Sequence, residues 1–152
     1  MSTLEQALAA LRRGEAIGLP TETVYGLAAD ANNDDAVLDI FKAKGRPKSN
    51  PLILHFASLA QALPYIEVFP EIFQKLASAF CPGPLTFVVP KSSLVSPLIT
   101  GGQDTVGIRV PDHVVALGLL EAFARAGGRG VAAPSANRFG NVSPTTAQAV
   151  AD

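Results

Sequence analysis

"FKAKGRPKSNPLILHF", residues 41–56, passes from a helical pattern, through a basic segment, into a short apolar strand. In "LILHF" the alternation places Leu52, Leu54 and Phe56 on one face and Ile53 and His55 on the other, as a strand buried on one side requires. Upstream, Asp34 or Asp35 caps a helix whose apolar face is Val37, Ile40 and Phe41. A helix that feeds a short strand through a Pro- and Gly-punctuated segment is one unit of an α/β fold.

Working outward, the same alternation recurs. Ser2 and Glu5 read as a capping box, with Leu4, Leu8 and Leu11 at helical spacing and Gly14 as the stop. "AIGL" (16–19) is a short strand that Pro20 ends, and "PTETVYGL" (20–27) is a polar turn behind it. Pro70 opens a helix that runs to about Phe80. "LTFVV" (85–89) and "TVGIRV" (105–110) are strands, a helix spans about 112–126, and "GVAA" (130–133) is a buried strand broken by Pro134. Ser143 and Pro144 begin a final helix as N-cap and N1. The expected architecture is a single α/β domain over residues 1–152: a twisted, open, mixed sheet flanked by helices. Ligands in such sheets sit beyond strand ends, so a cleft lined by "PTETVYG" and "PSANRFGNVSP" is the working geometry.

Composition bounds the function. With 48% hydrophobic and 16% charged residues the chain forms a compact core and is not disordered. A net charge of −1 argues against a broad surface for coating nucleic acid. No apolar run approaches the roughly 18 residues needed to span a membrane. The N-terminal stretch shows no basic region followed by an apolar one, and Cys81 is the single cysteine. Both point to a reducing, cytoplasmic setting without an internal disulfide.

Against that neutral background, Lys42, Lys44, Arg46 and Lys48 concentrate four of the twelve Lys and Arg in one segment, with no acid between 40 and 66. The segment is either a solvated basic loop or one wall of an anion site, where Arg adds a bidentate fork. "PTETVYGL" is either a capped turn with Tyr25 packed beneath it or a cradle for a small polar ligand. "PSAN" (134–137) is either an Asx- or Ser-type turn or a ligand contact. Arg109, in an apolar strand, needs a partner: a bound carboxylate or phosphate, or an internal acid such as Glu22. In "PGPLTFVVP", Thr86 reads as structural. Neither G-x-x-x-x-G-K-[ST] nor G-x-G-x-x-G occurs, so a nucleotide site is of another kind. One Cys and two His do not assemble a structural zinc site. Cys81 reads as buried, and His113 as a surface residue at a helix start.

Five stretches taken in order carry more than any one of them. "LPTETVYGLAADA", "FKAKGRPKSNPLILHF", "CPGPLTFVVP", "TVGIRVPDH" and "AAPSANRFGNVSPTTA" resemble the YrdC-like L-threonylcarbamoyladenylate synthase family, from about residue 3 to the C-terminus. Lys44-Gly45-Arg46 and Ser135-Ala136-Asn137 match its K-x-R and S-x-N pairing. The resemblance implies a nucleotidyltransferase that forms threonylcarbamoyl-AMP and pyrophosphate from L-threonine, bicarbonate and ATP. Mg²⁺ would be carried with the nucleotide. The product would pass to a downstream threonylcarbamoyl transferase for tRNA modification, with a possible tRNA contact.

By motif position Arg46, Asn50, Thr105, Asn137 and Ser143 are expected at ATP, with Lys44 on the phosphates. Lys44 and Arg46 are the expected catalytic pair. Thr23, His55, Arg109 and Ser135 are expected at threonine, with Tyr25 and Thr21 as further lining. No residue stands out as a general base, and no protein-held metal is expected. Family members continue past the last helix into further strands, so the C-terminal part of the family fold is expected to be missing after Asp152. Two other readings compete: a non-catalytic RNA-binding module, and a diverged relative handling another carbamoyl adenylate.

Overall fold

The computed structural model describes residues 3–20, 25–44, 51–80 and 86–134, with Lys44 and Tyr25 described in their backbone only. Six strands, β1 (Ile17–Pro20), β2 (Tyr25–Asp30), β3 (Ile53–His55), β4 (Thr86–Pro90), β5 (Thr105–Arg109) and β6 (Val131–Ala133), form one sheet. Its order is β1-β2-β6-β3-β5-β4. β3 and β5 run parallel and every other neighbouring pair is antiparallel, so the sheet is mixed, as the alternation of elements predicts. Six helices, α1 (Thr3–Arg12), α2 (Asp34–Lys44), α3 (Leu59–Ala62), α4 (Glu71–Phe80), α5 (Pro97–Thr100) and α6 (Val114–Arg125), and the 3-10 turn Leu63–Tyr65 complete the described chain.

Most elements follow from local chemistry. α1 stops where Gly14 takes φ 83°, a left-handed conformation in which its N–H reaches Leu11 O and the N–H of Glu15 reaches Ala10 O. Pro70 precedes α4 and its carbonyl accepts from Phe73 and Gln74. Two caps differ from expectation. α2 is capped by Asn33, whose Oδ1 accepts from Ala36 N at 3.1 Å, and not by Asp34 or Asp35, which lie inside the first turn. There their carboxylates meet the positive end of the helix dipole instead. α6 is capped by His113, half-buried, whose Nδ1 accepts the Val115 N–H at 3.2 Å. His113→Ala is therefore expected to lower the unfolding free energy by about 1 kcal/mol, with His113→Asp retaining most of it. Denaturant titration of the three proteins measures this.

The strand β2 is a correction. Residues 20–27 read as a turn, but Tyr25 already pairs with Pro20, and "YGLAAD" forms a ladder with β1 and β6. Gly, Ala and Asp are poor strand formers, so tertiary pairing decides this segment over propensity. The short helices α3 and α5 were likewise not expected. Ser58 caps the first through Gln61 N, and Ser96 with Pro97 opens the second. The capping pair Ser2, the tight turn at 82–84, buried Cys81 and the helix opened by Ser143 and Pro144 lie outside the described residues.

Two cores clasp the sheet. On one face Ala29, Leu54, Phe87, Val89, Val106, Ile108 and Ala132 pack with Val37, Ile40 and Phe41 of α2, Ala77 of α4 and Ile99 of α5. Leu52 and Phe56 join this side, as the alternation in "LILHF" predicts. Tyr65 is 2% exposed and stacks 5.2 Å from Phe56, with its hydroxyl engaged by Asn32 at 3.0 Å. On the opposite face Leu11 of α1 and Ala116, Leu119, Leu120 and Phe123 of α6 cover Ala28, Val131 and Ala133. This second core takes in residues of β2 and β6 and is flanked by Ile17 of β1, but it contains none from β4 or β5.

Candidate functional site

The sheet directions bring the motif-bearing segments to one edge. β1 and β6 end there, while β2, β3 and β5 begin there. Residues 21–24, 45–50 and 135 onward are therefore all attached at the same edge, where Thr105 opens β5. The cleft expected between "PTETVYG" and "PSANRFGNVSP" falls largely on residues outside the described ones.

A second feature arises from the unequal covering of the sheet. Along β5, Val106 and Ile108 point into the first core, so Thr105, Gly107 and Arg109 point to the other face. Among the described residues, the apolar core that α1 and α6 form on that face takes in β1, β2 and β6. The remaining half carries Ile53 and His55 from β3, Thr105, Gly107 and Arg109 from β5, and Thr86 and Val88 from β4. Among the described residues no helical side chain packs into a core there, and Val88 is 61% exposed. Thr105 and Arg109 lie about 13 Å apart along the strand, long enough to flank an adenylate and its acyl group.

His55 and Arg109 are ladder partners in the parallel β3–β5 pair, and Thr86 faces Arg109 from the other side. Both are buried, at 5% and 8% exposure, whereas Thr105 is half-buried. The His55 Nδ1 lies 3.2 Å from Ile53 O. A carbonyl only accepts, so Nδ1 carries a proton in this contact. A guanidinium beside an imidazole offers a fork for a carboxylate and a polar ring edge for the rest of a small polar ligand.

The predicted site residues divide by location. His55, Arg109 and Thr105 stand together on the β3–β5–β4 half of that face. Lys44 is the last residue of α2, and Tyr25 the first of β2. Thr21, Thr23, Arg46, Asn50, Ser135, Asn137 and Ser143 lie outside the described residues, as does Glu22, the internal acid considered for Arg109. Gly107 and Ile53 were not singled out, and Thr86, read as structural, shares their face. The signal was available: in "TFVVP" and "TVGIR" the alternation separates Thr86, Thr105, Gly107 and Arg109 from the apolar set. A cavity of about 350 Å³ lies elsewhere, lined by Ala57, Ser58, Gln61, Glu121, Ala124 and Arg125, and contains none of the predicted residues.

Comparison with known proteins agrees with this arrangement. A family model joining Sua5, YciO and YrdC, described as "Telomere recombination", matches residues 9–152. The chain belongs to this family. Among curated relatives, threonylcarbamoyl-AMP synthase of Pyrococcus abyssi is 51% identical over 142 residues, 93% of this chain and 41% of that protein. The Bacillus subtilis protein of the same name is 48% identical over 149 residues, 97% of this chain and 42% of its own length. The chain thus spans about two-fifths of these relatives. Of solved structures in the family, P. abyssi Sua5 complexed with L-threonine superposes with a TM-score of 0.88 at 49% identity, over 97% of this chain and 42% of that one. E. coli YciO gives 0.75 at 25% identity, over 87% and 62%.

Proposed function

We propose that residues 1–152 form the synthase domain of an L-threonylcarbamoyladenylate synthase. The observation that carries this reading is the β3–β5–β4 half-face, where His55, Arg109 and Thr105 meet in a chain 51% identical to a threonylcarbamoyl-AMP synthase. The structure of P. abyssi Sua5 with L-threonine supports the same substrate for this chain.

In the proposed reaction the threonine amine and bicarbonate give a carbamate and water. A carbamate oxygen then attacks the α-phosphorus of ATP, a phosphorus–oxygen bond breaks, and pyrophosphate leaves with its Mg²⁺. All three reactants are anionic or zwitterionic, so fixed cations are what the site must supply. Arg109 holds the threonine carboxylate, with His55, Thr23 and Ser135 around the rest of the amino acid. Lys44 and Arg46 offset the triphosphate charge, and Asn50, Thr105, Asn137 and Ser143 hold the nucleotide; Tyr25 and Thr21 line the site. Catalysis is then mostly positioning and electrostatics. Mg²⁺ would be carried with the nucleotide.

The mixed anhydride would pass to a transferase acting on tRNA in the cytoplasm. No described helix is long and apolar enough to cross a membrane. The test is pyrophosphate release from ATP with L-threonine and bicarbonate, each omitted in turn. Release that requires all three is expected. Release indifferent to threonine, or salt-sensitive RNA binding with no response to ATP or threonine, would overturn the reading.

A further inference from the structure

Gly107 occupies the middle of β5 on the same half-face, two residues from Thr105 on one side and from Arg109 on the other. Nothing in the backbone asks for glycine there, because Gly107 is not among the residues with positive φ. Packing does not ask for it either. A Cβ at Gly107 would lie 3.4 Å from Thr86 Cγ2 and 3.5 and 3.9 Å from the two Cγ atoms of Ile53, ordinary contacts with side chains alone. Gly128 and Gly130 are different: a Cβ there would meet the rings of Phe123 at 2.5 Å and Phe56 at 2.6 Å. Those two are fixed by the core.

Glycine inside a strand weakens it, and marks a place where another backbone or a ligand comes close. At Gly107 the three nearest atoms that a Cβ would meet among the described residues belong to the side chains of Thr86 and Ile53, and none is backbone. Its bare Cα leaves a shallow floor roughly midway between the two groups assigned to opposite ends of the substrates, about 6–7 Å from each along the strand. An amino acid anchored by its carboxylate at Arg109 has its amine and side chain one or two bonds further on, over that floor.

We infer that Gly107 is a specificity-determining residue of the amino-acid subsite: the missing side chain lets L-threonine lie against the β5 backbone with its amine directed toward the nucleotide. This rests on the functional reading above. A methyl group at Gly107 would lift the amino acid off the strand while leaving the nucleotide, held at the Thr105 edge, in place. Valine would fill the floor altogether.

The test compares wild type, Gly107→Ala, Gly107→Val and, as a control in α6 where a Cβ meets nothing within 4 Å, Gly118→Ala. Calorimetry gives the Kd for L-threonine and for a non-hydrolysable ATP analogue separately, and thermal unfolding gives Tm. For Gly107→Ala the threonine Kd should rise at least about tenfold and the nucleotide Kd stay within about twofold, with Tm equal to or above wild type. Gly107→Val should show no measurable threonine binding, and Gly118→Ala should match wild type throughout. Wild-type threonine affinity in Gly107→Ala overturns the inference alone, and so does a parallel loss of Tm and of both ligands. A wild-type protein that binds nucleotide but no L-threonine overturns the functional reading, and the inference with it.

Discussion

Replacing Arg109 by methionine is expected to raise the KM for L-threonine by roughly 100- to 1,000-fold, as loss of a desolvated charge-assisted hydrogen-bond pair does. The reason is positional. Arg109 sits at 8% exposure on a strand, between His55 and Thr86, with its backbone carbonyl tied to Phe56 N at 3.0 Å. Its Cα is therefore fixed, and little rotamer freedom remains to be lost on binding. Methionine keeps an unbranched apolar stem of similar reach, so lost packing is small and lost charge dominates. Arg109→Lys should fall in between, because an ammonium keeps the charge but not the two-pronged geometry. Nucleotide affinity should change little in either variant. Steady-state kinetics with threonine varied at saturating ATP, beside a thermal melt, separates substrate loss from misfolding. An Arg109→Met protein with wild-type KM and Tm would remove the carboxylate assignment.

Lys44→Ala and Arg46→Ala are expected to act on turnover more than on threonine affinity. Each should lower kcat by about 100- to 1,000-fold, the range observed when one fixed donor to developing transition-state charge is removed. Lys44 closes α2, which the buried Val37, Ile40 and Phe41 hold against the sheet. The chain then re-enters the sheet at Leu52, whose N–H donates to Ile99 O at 2.7 Å. Both ends of the basic segment are thus anchored. The fold should survive the substitutions, and single-turnover measurement of pyrophosphate release reads the effect. Effects of residues acting on one phosphate are not additive, so the double variant should be little worse than the single ones. A fully active double variant would contradict the assignment. Lys42, by contrast, is exposed on α2 and carries no expected effect.

How much of this was legible in the sequence depends on which physical term decides each element. Where periodicity and punctuation act together, as in "LILHF" or the Pro70 helix, the expectation matches the structure to within a residue or two. Where tertiary pairing decides, it does not: "YGLAAD" lacks the β-branched residues that mark a strand, and one of its two ladders is with β6, far along the chain. Asn33 caps α2 one residue before the acids Asp34 and Asp35, and His113 caps α6 although histidine is not a usual N-cap residue. For the site, residue identity singled out His55, Arg109 and Thr105. Their grouping came from the family resemblance and not from spacing, because it depends on β3 lying parallel to β5. Gly107 escaped notice for a simpler reason. A residue without a side chain gives no chemical signal until the register shows what it would face.

The measurement closest to the central claim is a crystal structure of the chain with L-threonine and a non-hydrolysable ATP analogue. The account predicts threonine over β5 with its carboxylate on Arg109, the nucleotide near Thr105, and the phosphates toward Lys44 and Arg46. Ligands seated instead in the cavity lined by Ser58, Gln61, Glu121 and Arg125, with the β3–β5–β4 half-face empty, would contradict it.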